Sequence, residues 1–163
     1  MKQHTYHVAV KWTGNDGSGT SSYKSYRRDH SITCEGKAPI SASSDPSFRG
    51  DSARYNPEEL LVASLSSCHM LWYLHLCAVN KVAVLEYQDA AVGTMEERPD
   101  GSGAFVRVLL RPAVAIRSGD DRNKAISLHH EAHHMCFVAN SVNFPVEVEA
   151  EIREAEAVPY PAN

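Results

Sequence analysis

The chain has 163 residues, 43% of them hydrophobic, with 16 Lys and Arg against 20 Asp and Glu for a net charge of −4. That length suits a single domain, residues 1–163, with a sizeable core, and the acidic balance excludes a general affinity for nucleic acid or acidic membrane surfaces. The cysteines at 34, 68, 77 and 136 show neither CxxC pairing nor regular spacing, which argues against a disulfide framework and for packed or reactive thiols. MKQHTYHVAV at the start holds no apolar run of signal-peptide length, so a cytoplasmic protein is expected.

In chain order, His4 to Trp12 alternates, with Tyr6, Val8, Val10 and Trp12 on one side; this predicts a first strand with one buried face. Gly14 to Gly19 reads as a turn. Tyr23 to Cys34 resumes strand character, and a short strand follows around Pro39-Ile40. Ser41 to Tyr55 is a long polar loop carrying Arg49 and Arg54; in so small a domain such a loop points to function.

Asn56 to Val79 reads NPEELLVASLSSCHMLWYLHLCAV. Asn56 suits an N-cap, Pro57 the first helical position, and Glu59 completes a capping box. No charged residue follows Glu59 until Lys81, and the leucines cover more than one face, predicting a helix buried on most sides. The stretch has the length of a membrane span, but its serines and histidines and the strand-like segments on both sides favour a buried soluble helix. Cys68 sits in its middle.

Val82 to Glu96 and Ala104 to Ile116 predict two strands joined by a turn over Pro99 to Gly103, a long antiparallel hairpin. Arg122 to Ala139 reads as a second helix, with Ile126, His130, His133 and Phe137 near one face and Cys136 at its far end. Phe144 to Ile152 alternates as a closing strand, and 154–163 is a polar tail. Strands, long helix, hairpin, helix, strand: the order is that of an α+β domain with helices packed on antiparallel sheet.

Cys68 and Cys136 lie on two helices that one sheet would hold together. Cys77 pairs poorly with Cys68, since nine residues of helix put them on opposite faces and roughly 13 Å apart in rise. A reactive thiol needs positive charge or donors beside it, which Arg28, Arg49 and Arg54 offer; Glu58, in the first helical turn, suits the helix dipole with or without chemistry.

NPEELLVASLSSC, with its cysteine ten residues after Glu58, and CFVANS, from Cys136 to Ser141, resemble the two signatures of the OsmC/Ohr family of thiol-dependent peroxidases, and the element order matches over nearly the whole chain. The resemblance implies an intertwined homodimer of α+β OsmC-like fold, with antiparallel sheets around a long central helix. It implies Cys68 as the peroxidatic thiolate attacking an organic hydroperoxide, Cys136 as the resolving cysteine, and a dithiol reductant of the lipoyl type, with no cofactor. Arg49, or else Arg28, would activate the thiolate, oriented by Glu58. His69 stands where familiar members carry an aromatic, and Phe137 where they carry proline.

Two other readings follow from the same residues. An OsmC-like domain could bind a small apolar molecule or sense oxidants through the same thiols without turnover. His130 to His134, HEAHH, matches HExxH formally and would place two imidazoles on one helix face for zinc, although no third ligand follows at a recognised spacing.

Overall fold

The computed structural model describes residues 1–156 and divides into two compact units, Met1–Leu60 and Leu61–Asn163. The first unit is a three-stranded antiparallel sheet in the order β1 (Ala9–Trp12), β2 (His30–Thr33) and β3 (Ile40–Ala42). All four residues of β1 are exposed. The alternation from Tyr6 to Trp12 therefore has no buried face in this chain. The polar loop is better ordered than its composition suggests: Asp45 accepts from the Ser47 amide to cap a short 3-10 turn, Pro46–Phe48, and Arg49 closes it in the left-handed region at φ 66°. Ser43, fully buried, donates to Asp29 and accepts from the Asp51 amide, fastening the loop to the sheet.

α1 runs from Pro57 to Val79, and the boundary between the units falls within its first turn. The capping box forms: the Glu59 amide donates to Asn56 Oδ1 at 2.8 Å, and the Asn56 amide to Glu59 Oε2 at 3.1 Å. The expectation of burial on most sides is corrected. Only Leu65, His69, Tyr73 and Cys77, a stripe at every fourth residue, are buried, while Leu71 and Val79 remain over 60% exposed. A spacing of four keeps one face in line over a few turns, and that face is the part of α1 the second unit buries fully, with Leu61, Val62, Trp72 and Leu76 partly buried beside it.

The predicted hairpin is present but broken. β4 (Val84–Asp89) pairs antiparallel with β7 (Pro112–Arg117), and β5 (Val92–Glu97) with β6 (Gly103–Leu110). The break falls where Asp89 Oδ1 accepts from the Arg111 amide at 2.7 Å, which turns both arms into separate sheets. α2 (Arg122–Met135) starts on an Asp121 cap and stops before Cys136, short of the predicted end at Ala139. Its buried face is Ala125, Leu128, His129 and Ala132; of the four residues expected near one face, Ile126, His130 and Phe137 are exposed and His133 is half-buried. The closing strand is two: β8 (Val146–Val148) pairs parallel with β6, and β9 (Glu151–Ala155) parallel with β7. The sheets are thus mixed, in the orders β5-β6-β8 and β4-β7-β9. Glu154 and Ala155, assigned to a tail, belong to β9, and the remainder of that tail from residue 157 lies outside the described residues.

α1 serves two cores. Leu65 packs with Val108 and Leu110, while Tyr73 and Cys77 pack with Val114, Ile116, Leu128 and Ile152. Because α1 is the element common to both, its start should matter to the whole unit. Asn56→Ala is expected to lower unfolding free energy by about 1 kcal/mol in urea titrations, and Glu59→Gln, which keeps an acceptor, by less; equal losses would show that the reciprocal bond is not what starts the helix.

Candidate functional site

Cys68 lies mid-way along α1, half-buried, and Cys136 sits just beyond the end of α2 with 1% of its surface exposed. The two side chains are within hydrogen-bonding reach of each other. Burial, then the bond to Cys68, pushes the Cys136 thiol up to about 11, so it is protonated near neutrality. The turn after α2 fixes its sulfur: the Ala139 amide donates to Cys136 Sγ at 3.4 Å, and Asn140 Nδ2 donates to the His134 carbonyl. Trp72, one helical turn after Cys68, meets Phe137 edge-to-face at 5.6 Å, so aromatic surface borders the pair. The other cysteines differ. Cys77 is a core residue whose thiol burial pushes up, and Cys34 is half-buried beside β2 in the first unit.

The predicted cationic residues belong to the first unit. Arg28 is engaged: its guanidinium lies 4.4 Å from the Tyr23 ring and 4.1 Å from the Tyr26 ring, and donates to the carbonyls of both residues. Arg49 is exposed and touches Tyr23 at 5.9 Å, with no side-chain hydrogen bond or ion pair among the described residues. Arg54 pairs with Asp51 and Asp29. Glu58, on α1 with Cys68, has a buried Oε2 that lacks a partner among the described residues.

A polar seam that has no signal in the sequence runs between the helices. His69, next to Cys68 in the chain, has turned into the core. Its Nε2 shares a 3.0 Å hydrogen bond with His129 Nδ1, with the rings nearly parallel, and Tyr73 stacks on His129 at 3.8 Å. Ser66, one turn earlier, donates to Asp89 Oδ2. Burial, followed by repulsion from His133, depresses His69 to about 4; burial and His69 depress His129 to about 3. No spacing links positions 69 and 129, so the pairing had no signal in the sequence. The HEAHH run is split by the helix: His133 is half-buried, and His130 and His134 face outward. No group of three possible metal ligands forms among the described residues.

Both histidines carry a pH consequence. An unfolded imidazole titrates near 6.5, above the folded values, so the unfolded chain binds more protons below that pH. Stability should hold above about pH 6.5 and fall as pH drops towards 4, by on the order of 3 kcal/mol for each histidine. Urea midpoints between pH 7 and 4 should show this fall, and His129→Phe, which keeps the stack on Tyr73, should flatten it. An unchanged slope in that variant would place the acid sensitivity elsewhere.

The model for OsmC-like proteins matches residues 50–151. An OsmC-like protein of unknown function from Vibrio cholerae is similar to the chain at 33% identity and TM-score 0.82, covering 91% of this chain and 100% of that one. Two organic hydroperoxide resistance proteins share the fold. One from Elizabethkingia anophelis is 18% identical, TM-score 0.65, covering 94% and 100% of the two chains. The other, OhrB of Bacillus subtilis, is 19% identical, TM-score 0.59, covering 92% and 98%. No curated protein sequence matches. A family model spanning more than half of the chain, and a 33% identical relative over nearly all of it, place this protein in the OsmC-like family.

Proposed function

We propose that the chain is a thiol-dependent peroxidase that reduces organic hydroperoxides. The observation that carries this reading is the pairing of a half-buried thiol on α1 with a buried, protonated one at the end of α2. Membership of the OsmC-like family and the fold shared with organic hydroperoxide resistance proteins support a redox role. The Cys68 thiolate attacks the terminal oxygen of R–O–OH, the O–O bond breaks, and the alkoxide leaves as ROH on taking a proton. Cys68 is then a sulfenic acid. Cys136 attacks its sulfur, an S–S bond forms and water leaves, carrying the Cys136 proton. An external dithiol reduces the disulfide and becomes a disulfide itself. The closeness of the two thiols suits the second step, and the Trp72 and Phe137 surface suits an apolar R group.

Activation of the thiolate falls to Arg49, oriented by Glu58, in this reading. Arg28 is the weaker candidate because its guanidinium already serves two carbonyls and two rings. The working form is a homodimer in the cytoplasm. The uncovered apolar residues of α1 and the exposed Val8, Val10 and Trp12 are the surfaces a second copy would cover.

Steady-state consumption of cumene hydroperoxide with dihydrolipoamide tests the proposal. Cys68→Ser should fall to background, and Cys136→Ser should stop at a sulfenic acid after one turnover. Arg49→Ala should lose roughly 100-fold in kcat/KM while Arg28→Ala folds less well. Full activity in Cys68→Ser overturns the reading; a wild type that is oxidised once and does not cycle is an oxidant sensor instead. Sedimentation should give a dimer.

A further inference from the structure

Each neutral imidazole carries one N–H, so the His69–His129 pair holds two hydrogens. One lies in the 3.0 Å bond between His69 Nε2 and His129 Nδ1. The other sits on His69 Nδ1 or His129 Nε2, and both of those atoms are buried without a partner among the described residues. A third hydrogen makes both outer nitrogens donors with no acceptor and leaves a positive charge buried without a counter-charge. The surrounding elements offer no relief. From α2, His133 repels charge on His69 and His130 repels charge on His129. From α1, Tyr73 meets His129 with the face of its ring; the Tyr87 phenol of β4, whose ring lies 6.0 Å from that of Tyr73, is neutral and unpartnered. Asp89 of β4 attracts a proton to His69, but its two oxygens already accept from the Ser66 hydroxyl and the Arg111 amide, and burial outweighs it. Val146, Val148 and Ala150, across from His129, bring no charge.

We propose that this pair is an acid-sensitive latch on the two thiols: a proton taken up by either imidazole frees α2 from α1 and carries Cys136 out of reach of Cys68. The lever is short. Cys136 follows His129 by seven residues, its amide donates to the His133 carbonyl, and Asn140 ties the next turn to the His134 carbonyl, so Cys136 travels with the end of α2. Cys68 stays with α1, which Leu65 anchors to Val108 and Leu110. Exposed imidazoles titrate near 6.5, and burial holds these two well below that, so acid favours the open arrangement. Between pH 7 and 5 each imidazole favours it by about 20-fold. The latch, which rests on the two-thiol reading, acts on one step. Cys68 needs no second thiol to cleave the O–O bond, but its sulfenic acid becomes a disulfide only where Cys136 can attack it. In acid the chain therefore stops at the sulfenic acid.

Cysteine labelling reads the latch without any peroxide. The full-length Cys68→Ser protein is treated with 4,4′-dithiodipyridine between pH 7 and 5, and the label on each remaining cysteine is measured by peptide mass spectrometry. Cys34, half-buried in the first unit, corrects for the pH dependence of the reagent, and Cys77, in the core, reports global unfolding. Labelling of Cys136 relative to Cys34 should rise by about 20-fold or more from pH 7 to 5, return on neutralisation, and leave Cys77 protected. His69→Phe combined with His129→Phe removes both titrating rings and should hold the ratio flat. His129→Phe alone should lower the rise by about 20-fold, and carries the test if the double variant folds poorly. A flat ratio in the Cys68→Ser protein, a rise that survives in the histidine variants, or labelling of Cys77 in step with Cys136 would each overturn the inference. Dimedone trapping of the wild type after one equivalent of cumene hydroperoxide should find sulfenic acid on Cys68 at pH 5 and disulfide at pH 7; equal disulfide at both also overturns it. A wild type that does not react with the hydroperoxide at either pH loses the peroxidase reading, and the labelling then decides the latch by itself.

Discussion

A single buried hydrogen bond, His69 Nε2 to His129 Nδ1, ties the two helices of the second unit together. Two imidazoles taken almost wholly out of water must each be neutral, and each needs the other to satisfy one nitrogen. Neither helix can slide by a residue without breaking a bond that has no solvent to replace it. The thiols inherit this register. Cys68 is the residue before His69, and Cys136 comes seven after His129, two turns further along and just off the end of α2. The placement of the two thiols therefore rests on a contact that neither of them makes.

Local signals in the sequence were strong wherever the physics is local. Asn56, Pro57 and Glu59 define the start of α1 because a capping box is closed within four residues, and the turn around Gly101 separates β5 from β6 for the same reason. The break in the hairpin was not legible, because it depends on Asp89 reaching the Arg111 amide across the sheet and Ser66 on α1. Nor was the split of the closing segment into β8 and β9, since alternation is the same whether one sheet or two receive the strand. The extent of α1 burial was overread. Lack of charge measures what a helix can bury, and a single chain buries fully only the stripe from Leu65 to Cys77.

The site divides in the same way. Cys68 and Cys136 were found through the motifs around them, and the fold brings them together. His69 was read as a departure from the family pattern next to the thiol, whereas the helix turns it a hundred degrees away into the core, as adjacent residues of a helix must be. Arg28 and Arg49 differ in a way that sequence could not supply: backbone carbonyls and tyrosine faces occupy the Arg28 guanidinium, whereas Arg49 meets only the Tyr23 ring among the described residues. The apolar length of α1, which by composition alone would cross a bilayer, is spent instead on two cores and on surface that a single chain leaves bare.

The parallel pairing of β8 with β6 and of β9 with β7 sets an order in time as well as in space. Both mixed sheets wait for strands made more than thirty residues after their middle strands, with α2 threaded in between. During synthesis the hairpin of β4 to β7 emerges with an open edge on each sheet, and such edges invite pairing with other chains. Ribosome-bound intermediates that end before residue 146 thus hold α1 and the hairpin without either sheet complete. The second unit closes only when its last strand leaves the ribosome, late and non-locally, which makes this a slow-folding topology for its size.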